Sequence, residues 1–283
     1  MNWIIGDIHG MLRPLRALVE VITHTDPAAQ LTFAGDYVNR GPDSRGVIDY
    51  LLTLRNCRFV RGNHDDVLDF LLSGKSVVAD LPDDPCTVFF WFIDQGLDRT
   101  LESYGIDYAD LQQMARRCSP RVLRRMFDVV PPAHREFLRT LPLVAEDKAF
   151  FVAHGYADIN AKNEVGFGAH SAADPEFRRQ TLWNRPSDEE ILLPKAWARV
   201  GYFGHTPVNN FDPPLFDGQM VPLRGPNMVM LDTAVAMHPD GRLSAVCHET
   251  GSVVQADRQG QVIRPGDAPG AQPPIATKAG TNT

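Results

Sequence analysis

Five apolar runs in this chain each stop at a polar cluster: GDIHG (6–10), GDYVNRG (35–41), RGNHDD (61–66), AHG (153–155) and FGHTP (203–207). Together they carry Asp7, His9, Asp36, Asn63, His64, His154 and His205. One Gly-Asp is an ordinary turn, and one histidine closing an apolar run is an ordinary packed side chain. Five such clusters in succession point instead to a shared site outside the carboxyl ends of the strands of a sheet. The mixture of carboxylates, imidazoles and an amide oxygen suits Mn, Fe or Zn better than the all-oxygen cages of Mg or Ca. A carboxylate has two oxygens and can bridge two cations about 3.5–4 Å apart. Asp7 and His9 stand two apart, so on an extended backbone both point to one side and can reach one ion.

The elements that must position these clusters read as alternating strands and helices. Residues 2–5 are a short apolar strand feeding Gly-Asp, and residues 11–22 (MLRPLRALVEVI) carry Leu and Val at helical spacing. Pro14 falls in the first turn of that helix, where it is tolerated. LTFAGD (31–36) predicts a second strand, SRGVIDYLLTL (44–54) a second helix and CRFVRGNHDD (57–66) a third strand. This alternation predicts parallel βαβ units. Residues 67–140 are helix-prone, with breaks at LPDDPC (81–86) and SP (119–120), and predict a helical insertion or cap. AFFVAHG (149–155) and ARVGYFGHTP (198–207) resume the strand pattern. NMVMLDT (227–233) and RLSAVCHE (242–249) predict an antiparallel hairpin. From Asp257 the composition turns to Gly, Pro, Gln, Ala and Thr, so 257–283 is expected to be a disordered tail behind a domain spanning 1–256.

The ordered motif series resembles the calcineurin-like metallophosphoesterases, and within them the phosphoprotein-phosphatase branch with its bacterial and phage-type Ser/Thr phosphatases. The resemblance runs from residue 4 to about 250 and includes WFIDQGLDRTLESYG (91–105), PPAHREFLRTLPLVAEDKAFFVAHG (131–155) and TLWNRP (181–186). It implies an α+β fold, a four-layer αββα sandwich with its site at the strand ends. It also implies two divalent metal ions, Mn ahead of Fe or Zn. By position, Asp7 and His9 would hold the first ion, Asp36 would bridge, and Asn63, His154 and His205 would hold the second. A water activated between the ions would attack phosphorus in line. Arg40, Arg61 and Arg185 would clamp the phosphate oxygens, a task suited to the planar guanidinium fork. His64 would protonate the leaving oxygen.

Two positions depart from that branch. Position 39 is Asn where phosphoprotein phosphatases usually carry Asp against the acid histidine; an amide oxygen can still accept from the ring but lacks the charge that raises its pKa, so a weaker acid is expected. Asn39 together with GNHD is similar to the bacterial diadenosine tetraphosphatases. GHTP, with Thr206 and Pro207 where many relatives place a second histidine, is similar to the protein phosphatases. The expected substrate is therefore a phosphoprotein or phosphopeptide, with a nucleotide polyphosphate as the second reading. An inactive phosphopeptide-binding module is a third, opposed by the full set of ligands and arginines. Gly35 and Gly41 are expected to make the tight turn around Asp36, Asp65 and Asp66 to cap the following helix, and Asp232 to stand behind the ligands. His24, His134, His170, His238 and His248 are read as structural.

The composition narrows the partners. A net charge of −7 gives no bulk basic field for nucleic acid, though a local cationic pocket is compatible with it. Cys57, Cys86, Cys118 and Cys247 form no CxxC pair, which fits free thiols in a reducing compartment. The first motif starts at Gly6, leaving no room for a signal peptide, and no apolar run approaches the roughly 20 residues of a membrane span. A cytoplasmic protein with no membrane partner is expected.

Overall fold

Alternation along single strands sets the architecture. In β1 (Asn2–Ile5), Trp3 and Ile5 join one core while Ile4 joins another, so the strand is buried on both faces. In β5 (Phe150–Ala153), Phe150 and Val152 share the core of Ile4, and Phe151 and Ala153 face a third. The Ile4 cluster is thus the seam between two sheets. The computed structural model describes residues 1–74, 84–157, 173–195 and 197–264; His170 and residues 265–283 of the expected tail lie outside them.

The first sheet has six strands in the order β11-β10-β9-β1-β2-β3, with β2 (Gln30–Phe33) and β3 (Cys57–Phe59) parallel to β1. The second has five, in the order β4-β5-β6-β8-β7, with β6 (Val200–Phe203) and β8 (Met228–Met230) parallel to β5 and β4 (Val144–Glu146) and β7 (Leu223–Arg224) antiparallel at the edges. Helices cover the outer face of each. On the first sheet, α1 (Leu12–Thr25) buries Leu15, Leu18, Val19 and Ile22, and α2 (Ser44–Leu51) buries Val47 and Ile48. The Asp43 carboxylate caps α2 by accepting from Gly46 N at 2.8 Å. On the second, α9 (Pro175–Trp183) and α10 (Asp188–Leu192) bring Phe177 and Ile191 to the outer core. The result is the expected α+β sandwich of four layers. Its six parallel strands end at Gly6-Asp7, Asp36, Asn63, His154, His205 and Asp232, close to one another in space.

Three expectations are refined by the structure. First, the described part of the stretch expected as a helical insertion is helical, and Val88, Phe89, Leu101, Phe127 and Leu138 share one core with Leu15, Phe33 and Ile48 of the sheet-and-helix unit. Its first helix, α3 (Asn63–Ser73), starts inside the GNHD motif. Second, β8 and β9 (Arg242–Cys247) are not a hairpin. β8 lies in the second sheet, whereas β9 pairs antiparallel with β1 in the first. Both strands carry two apolar faces, so periodicity alone does not say which sheet each joins. Third, the tail does not begin at Asp257. That residue ends β10 (Val253–Asp257), and Val262–Ile263 form β11, paired with β10 through Gln255–Ile263 and Ala256–Val262. Among the described residues no helix is long and apolar enough to cross a membrane.

Because β11 completes the sheet edge and packs near α1, a chain ended after Asp257 is expected to melt a few degrees below one ended after Arg264, by calorimetry. Equal melting temperatures would show that the hairpin adds nothing.

Candidate metal centre

The loops after β1, β2 and β6 hold their functional residues in backbone conformations that side chains rarely adopt. Seven described non-glycine residues have positive φ, and five of them are candidate site residues: His9 (46°), Asp36 (51°), Asn39 (70°), Arg40 (67°) and His205 (63°). Strain of this kind gathers where the surroundings over-determine it. The expected turn is made differently from the glycine reading. Gly35 does take a positive φ (103°), but Gly41 does not; a Cβ on Gly41 would stand 2.1 Å from His9 O, so its role is close approach between the β1 and β2 loops.

Asp65 holds two of these loops together. Its carboxylate accepts from Asp36 N (2.8 Å), Tyr37 N (3.0 Å) and Gly62 N (2.9 Å). It caps α3 as expected, and it also ties the β2 loop to the β3 loop. Burial, then the nearby Asp36, pushes its carboxyl up to about 7. Asp66 does something else: it pairs with Arg61 and Arg178 in the interior.

At the centre, Asp36 Oδ2 lies 3.4 Å from His9 Nε2 and 3.3 Å from His154 Nε2. Its Oδ1 accepts from His64 N at 2.9 Å. The other ring nitrogens are committed elsewhere: His9 Nδ1 donates to Val38 O (2.9 Å) and His154 Nδ1 to Ala34 O (3.0 Å). With Nδ1 so committed, each Nε2 is the nitrogen that faces the carboxylate. A second group has the same character. Asn63 Oδ1 lies 2.8 Å from His154 Nε2 and 3.0 Å from His205 Nδ1, while His205 Nε2 donates to Trp183 O at 3.0 Å. Asp7 Oδ2 accepts from His205 N at 3.0 Å, and Asp7 Oδ1 is buried with no partner among the described residues. Buried acceptors facing one another without a donor between them are costly unless a cation joins them.

The local charges reflect this crowding. Burial alone would raise the Asp36 carboxyl, but His154, His64 and His9 outweigh it and hold the group well below the usual range. Burial lowers His9 to about 4, whereas for His154 the pull of Asp36 and Asp7 overcomes burial and raises the ring to about 9. Asp7 is pushed well up by burial and by the neighbouring Asp232. Ligand atoms of His9, Asp36 and His64 lie within 4.8 Å of one another, as do those of Asp7, Asp36 and His154. The tight groups thus join Asp7 with His154 rather than with His9, and Asp36 belongs to both.

The arginines divide. Arg40 and Arg185 line a cavity of about 780 Å³ together with His9, Asp36, Asn63 and His205. Arg61 does not line it, which corrects its assignment as a phosphate clamp. All five of its N–H donors are occupied: by Asp66 (2.9 Å) and Asp69 (3.0 Å), and by the carbonyls of Leu138 (2.7 Å), Arg139 (3.0 Å) and Leu141 (3.2 Å). Arg61 instead fastens α3 to the end of α8 (Pro132–Thr140).

Asn39 also differs from expectation. Thr100 Oγ1 donates to Asn39 Oδ1 at 2.8 Å, so it is the amide nitrogen that meets His64 Nδ1, also at 2.8 Å. The amide donates, and the His64 proton sits on Nε2. Ser44 and Thr100 additionally accept from Asn39 N (3.1 and 2.8 Å) and lock the residue. Neither they nor Asp65 were read as part of the site. Only the Gly-x-x-Asp capping spacing of GNHD hinted at Asp65; Thr100 is 61 positions from Asn39 and has no local signal. Asp232 is buried on the cavity wall, where its carboxylate accepts from Ala234 N at 2.9 Å. His134 and His248 have structural partners, Tyr104 with Asp49 and Tyr202 respectively, whereas His238 lines the cavity.

Residues 3–221 match the family of calcineurin-like phosphoesterases. The chain belongs to that family. It is 44% identical over 65 residues to a symmetrical bis(5'-nucleosyl)-tetraphosphatase of Erwinia tasmaniensis, covering 23% of this chain and 24% of the relative. The matches to the first such relatives thus span about a quarter of their length. Against the enzyme of the same name from Cellvibrio japonicus the identity is 26% over 291 aligned positions, covering 90% of this chain and 97% of the relative. Among solved structures, the chain superposes on a candidate diadenosine tetraphosphatase with a TM-score of 0.52 at 19% identity, covering 90% of this chain and 92% of that one. On a cold-active protein tyrosine phosphatase the TM-score is 0.54 at 12% identity, with 93% and 78% covered. At these identities the likeness shows the fold alone.

Two outcomes follow from the geometry. Arg61→Ala is expected to cost about 3–5 kcal/mol in urea unfolding, because it breaks a buried ion pair with Asp66 and leaves the carbonyls of Leu138, Arg139 and Leu141 without their donor; unchanged stability with slowed phosphate chemistry would restore the clamp role. Long-range ¹⁵N–¹H spectra are expected to find His64 protonated at Nε2 alone. Asn39→Asp, which can only accept, should bring a proton to Nδ1, and identical ring signals in the two proteins would contradict the assignment.

Proposed function

We propose that this chain hydrolyses phosphate links at a dinuclear metal centre and that its substrate is a dinucleoside polyphosphate. The observation that carries the first part is Asp36 Oδ2, faced at 3.4 and 3.3 Å by imidazole nitrogens whose opposite N–H groups are tied to carbonyls. Such outer hydrogen bonds fix tautomer and orientation in metal-binding histidines. In this reading Asp36 is the shared ligand, Asp7 and His9 serve the first ion, and Asn63, His154 and His205 the second, with Mn ahead of Fe or Zn. Bound there, two divalent cations would supply Lewis acidity toward phosphate oxygens and bring a water's pKa toward neutrality.

The chain's own residues bind and orient the phosphate. Arg40 is built differently from Arg61. Its Nη1 meets the Met237 sulfur, its Nη2 stands 3.3 Å from His64 Nε2, and its Nε is buried without a partner among the described residues. Among the described residues no carboxylate forms an ion pair with it, so its fork can turn to an anion. With the His64 proton on Nε2, two donors face each other with no acceptor between them. A phosphate oxygen placed before both would accept from both, and the neutral His64 ring would hold its Nε2–H on that oxygen as a hydrogen-bond donor. Arg185, held by one bond to His205 O at 2.9 Å, lines the same cavity and would share the clamp.

The substrate assignment reverses the order expected from the sequence. It is supported by the Cellvibrio japonicus relative, which aligns over nearly its whole length, by Asn39 with GNHD, and by a cavity within the roughly 300–1,000 Å³ of small-molecule sites. GHTP favours the second reading, a phosphoprotein or phosphopeptide.

The test compares diadenosine tetraphosphate with phosphoserine and phosphotyrosine peptides, using protein loaded with Mn, Fe or Zn. The expected outcome is a higher kcat/KM for the dinucleotide, loss of turnover on chelation, and a drop of about 10²–10³ in Arg40→Ala at unchanged melting temperature. Turnover of peptides alone would install the phosphoprotein reading. No hydrolysis of any phosphate ester with any of the metals would leave a phosphopeptide-binding module.

A further inference from the structure

Three aromatic side chains line the cavity: Trp91, Phe92 and Trp183. Helix α4 (Pro85–Phe92) starts at Asp84, whose carboxylate accepts from Thr87 N at 3.0 Å, and ends with two rings that behave oppositely. Phe92 is buried and meets the His64 ring edge-on, with centroids 5.3 Å apart, and Trp183 at 6.4 Å. Trp91 is 53% exposed, yet it lines the cavity that holds Arg40, Arg185 and Asp36. An isolated exposed apolar side chain needs no explanation. A tryptophan left half-open on the wall of a charged cavity is different, because burying it there would require an apolar or π-faced occupant.

Its placement relative to the phosphate-binding residues is also fixed. A kinked turn over Ile93–Leu97 follows α4 directly, and Gly96 O accepts from Arg40 N at 3.2 Å. Gly96 has a φ of 86°, and a Cβ there would stand 2.3 Å from Arg40 N. The end of α4 is therefore locked against the backbone of the guanidinium that faces the reacting phosphate. Buried Phe92 fixes the same helix end from the inside. The backbone that carries Trp91 is thereby anchored beside the charged end of the cavity, with Met237 and His238 also on the wall.

We infer that Trp91 is a nucleobase platform: its indole face stacks the base of a nucleotide whose phosphates occupy the cationic, metal-bearing end. This rests on the reading of the site as a phosphate-hydrolysing centre and adds to it the residue that selects nucleotides over other phosphate esters. Stacking is tolerant of base identity, because every base has a π-face, so this platform would favour the presence of a base rather than one particular base. It makes Trp91 a specificity-determining residue with no part in bond breaking.

Binding, rather than turnover, tests the inference independently of the activity. AMP and ribose 5-phosphate differ only in the base, and their affinities for the Mn-loaded full chain can be compared by calorimetry. AMP is expected to bind about 5- to 150-fold more tightly, the equivalent of one stacked base. Trp91→Ala is expected to remove most of that preference and leave ribose 5-phosphate affinity unchanged, while Trp91→Phe keeps a part of it. Equal affinity of the two ligands for the wild type would overturn the platform. So would a Trp91→Ala protein that loses both ligands in parallel with a lowered melting temperature, since that reports a packing role. A wild type that prefers AMP but hydrolyses no phosphate compound would keep the platform and sink the hydrolase.

Discussion

One carboxylate holds the two loops that make the site. Asp65 takes hydrogen bonds from the backbone of Asp36, Tyr37 and Gly62, and so joins the loop after β2 to the loop after β3, beyond the last paired residues of the two strands. Asp36, gripped in this way, has a left-handed backbone, and its side chain stands between His9 and His154. The tie is costly: the carboxylate is fully buried beside a second acid, which is why its pKa is driven up to about 7. Three backbone donors, including the cap of α3, offset that burial.

Around this point the molecule concentrates acceptors. Asp7, Asp36, Asn63 and three imidazoles turn lone pairs inward, and each imidazole is oriented by a carbonyl on its far side. Burial lowers His9 to about 4, while the pull of Asp36 and Asp7 raises His154 to about 9. The asymmetry comes from Asp7, which lies near His154 as well. A site of this kind is poorly stable on its own terms and gains from whatever positive charge enters it.

The three arginines show how partner chemistry separates structure from function. Each was read from its position beside a motif. Arg61 saturates its fork with two carboxylates and three carbonyls and becomes a buried rivet between helices. Arg40 is surrounded by a thioether, an imidazole and a carbonyl-anchored turn, none of which can hold it against an incoming phosphate. Sequence position was the same kind of cue for both, and only the count of occupied donors distinguishes them.

What the sequence determined by itself is local. Apolar runs of alternating burial fixed the strands, and the polar cluster after each run named Asp7, His9, Asp36, Asn63, His154 and His205, because side chains at strand ends are close in sequence to the strands that carry them. What only the tertiary structure decided is everything set by distant contact. The sheet that β9 joins, the pairing of β11, the direction of the Asn39 amide and the occupancy of Arg61 all depend on partners far along the chain. Thr100 turns the amide from 61 positions away, and Leu138 fills the guanidinium from 77. Periodicity reports which faces of an element are buried; it carries no information about which remote hydroxyl or carbonyl will meet them.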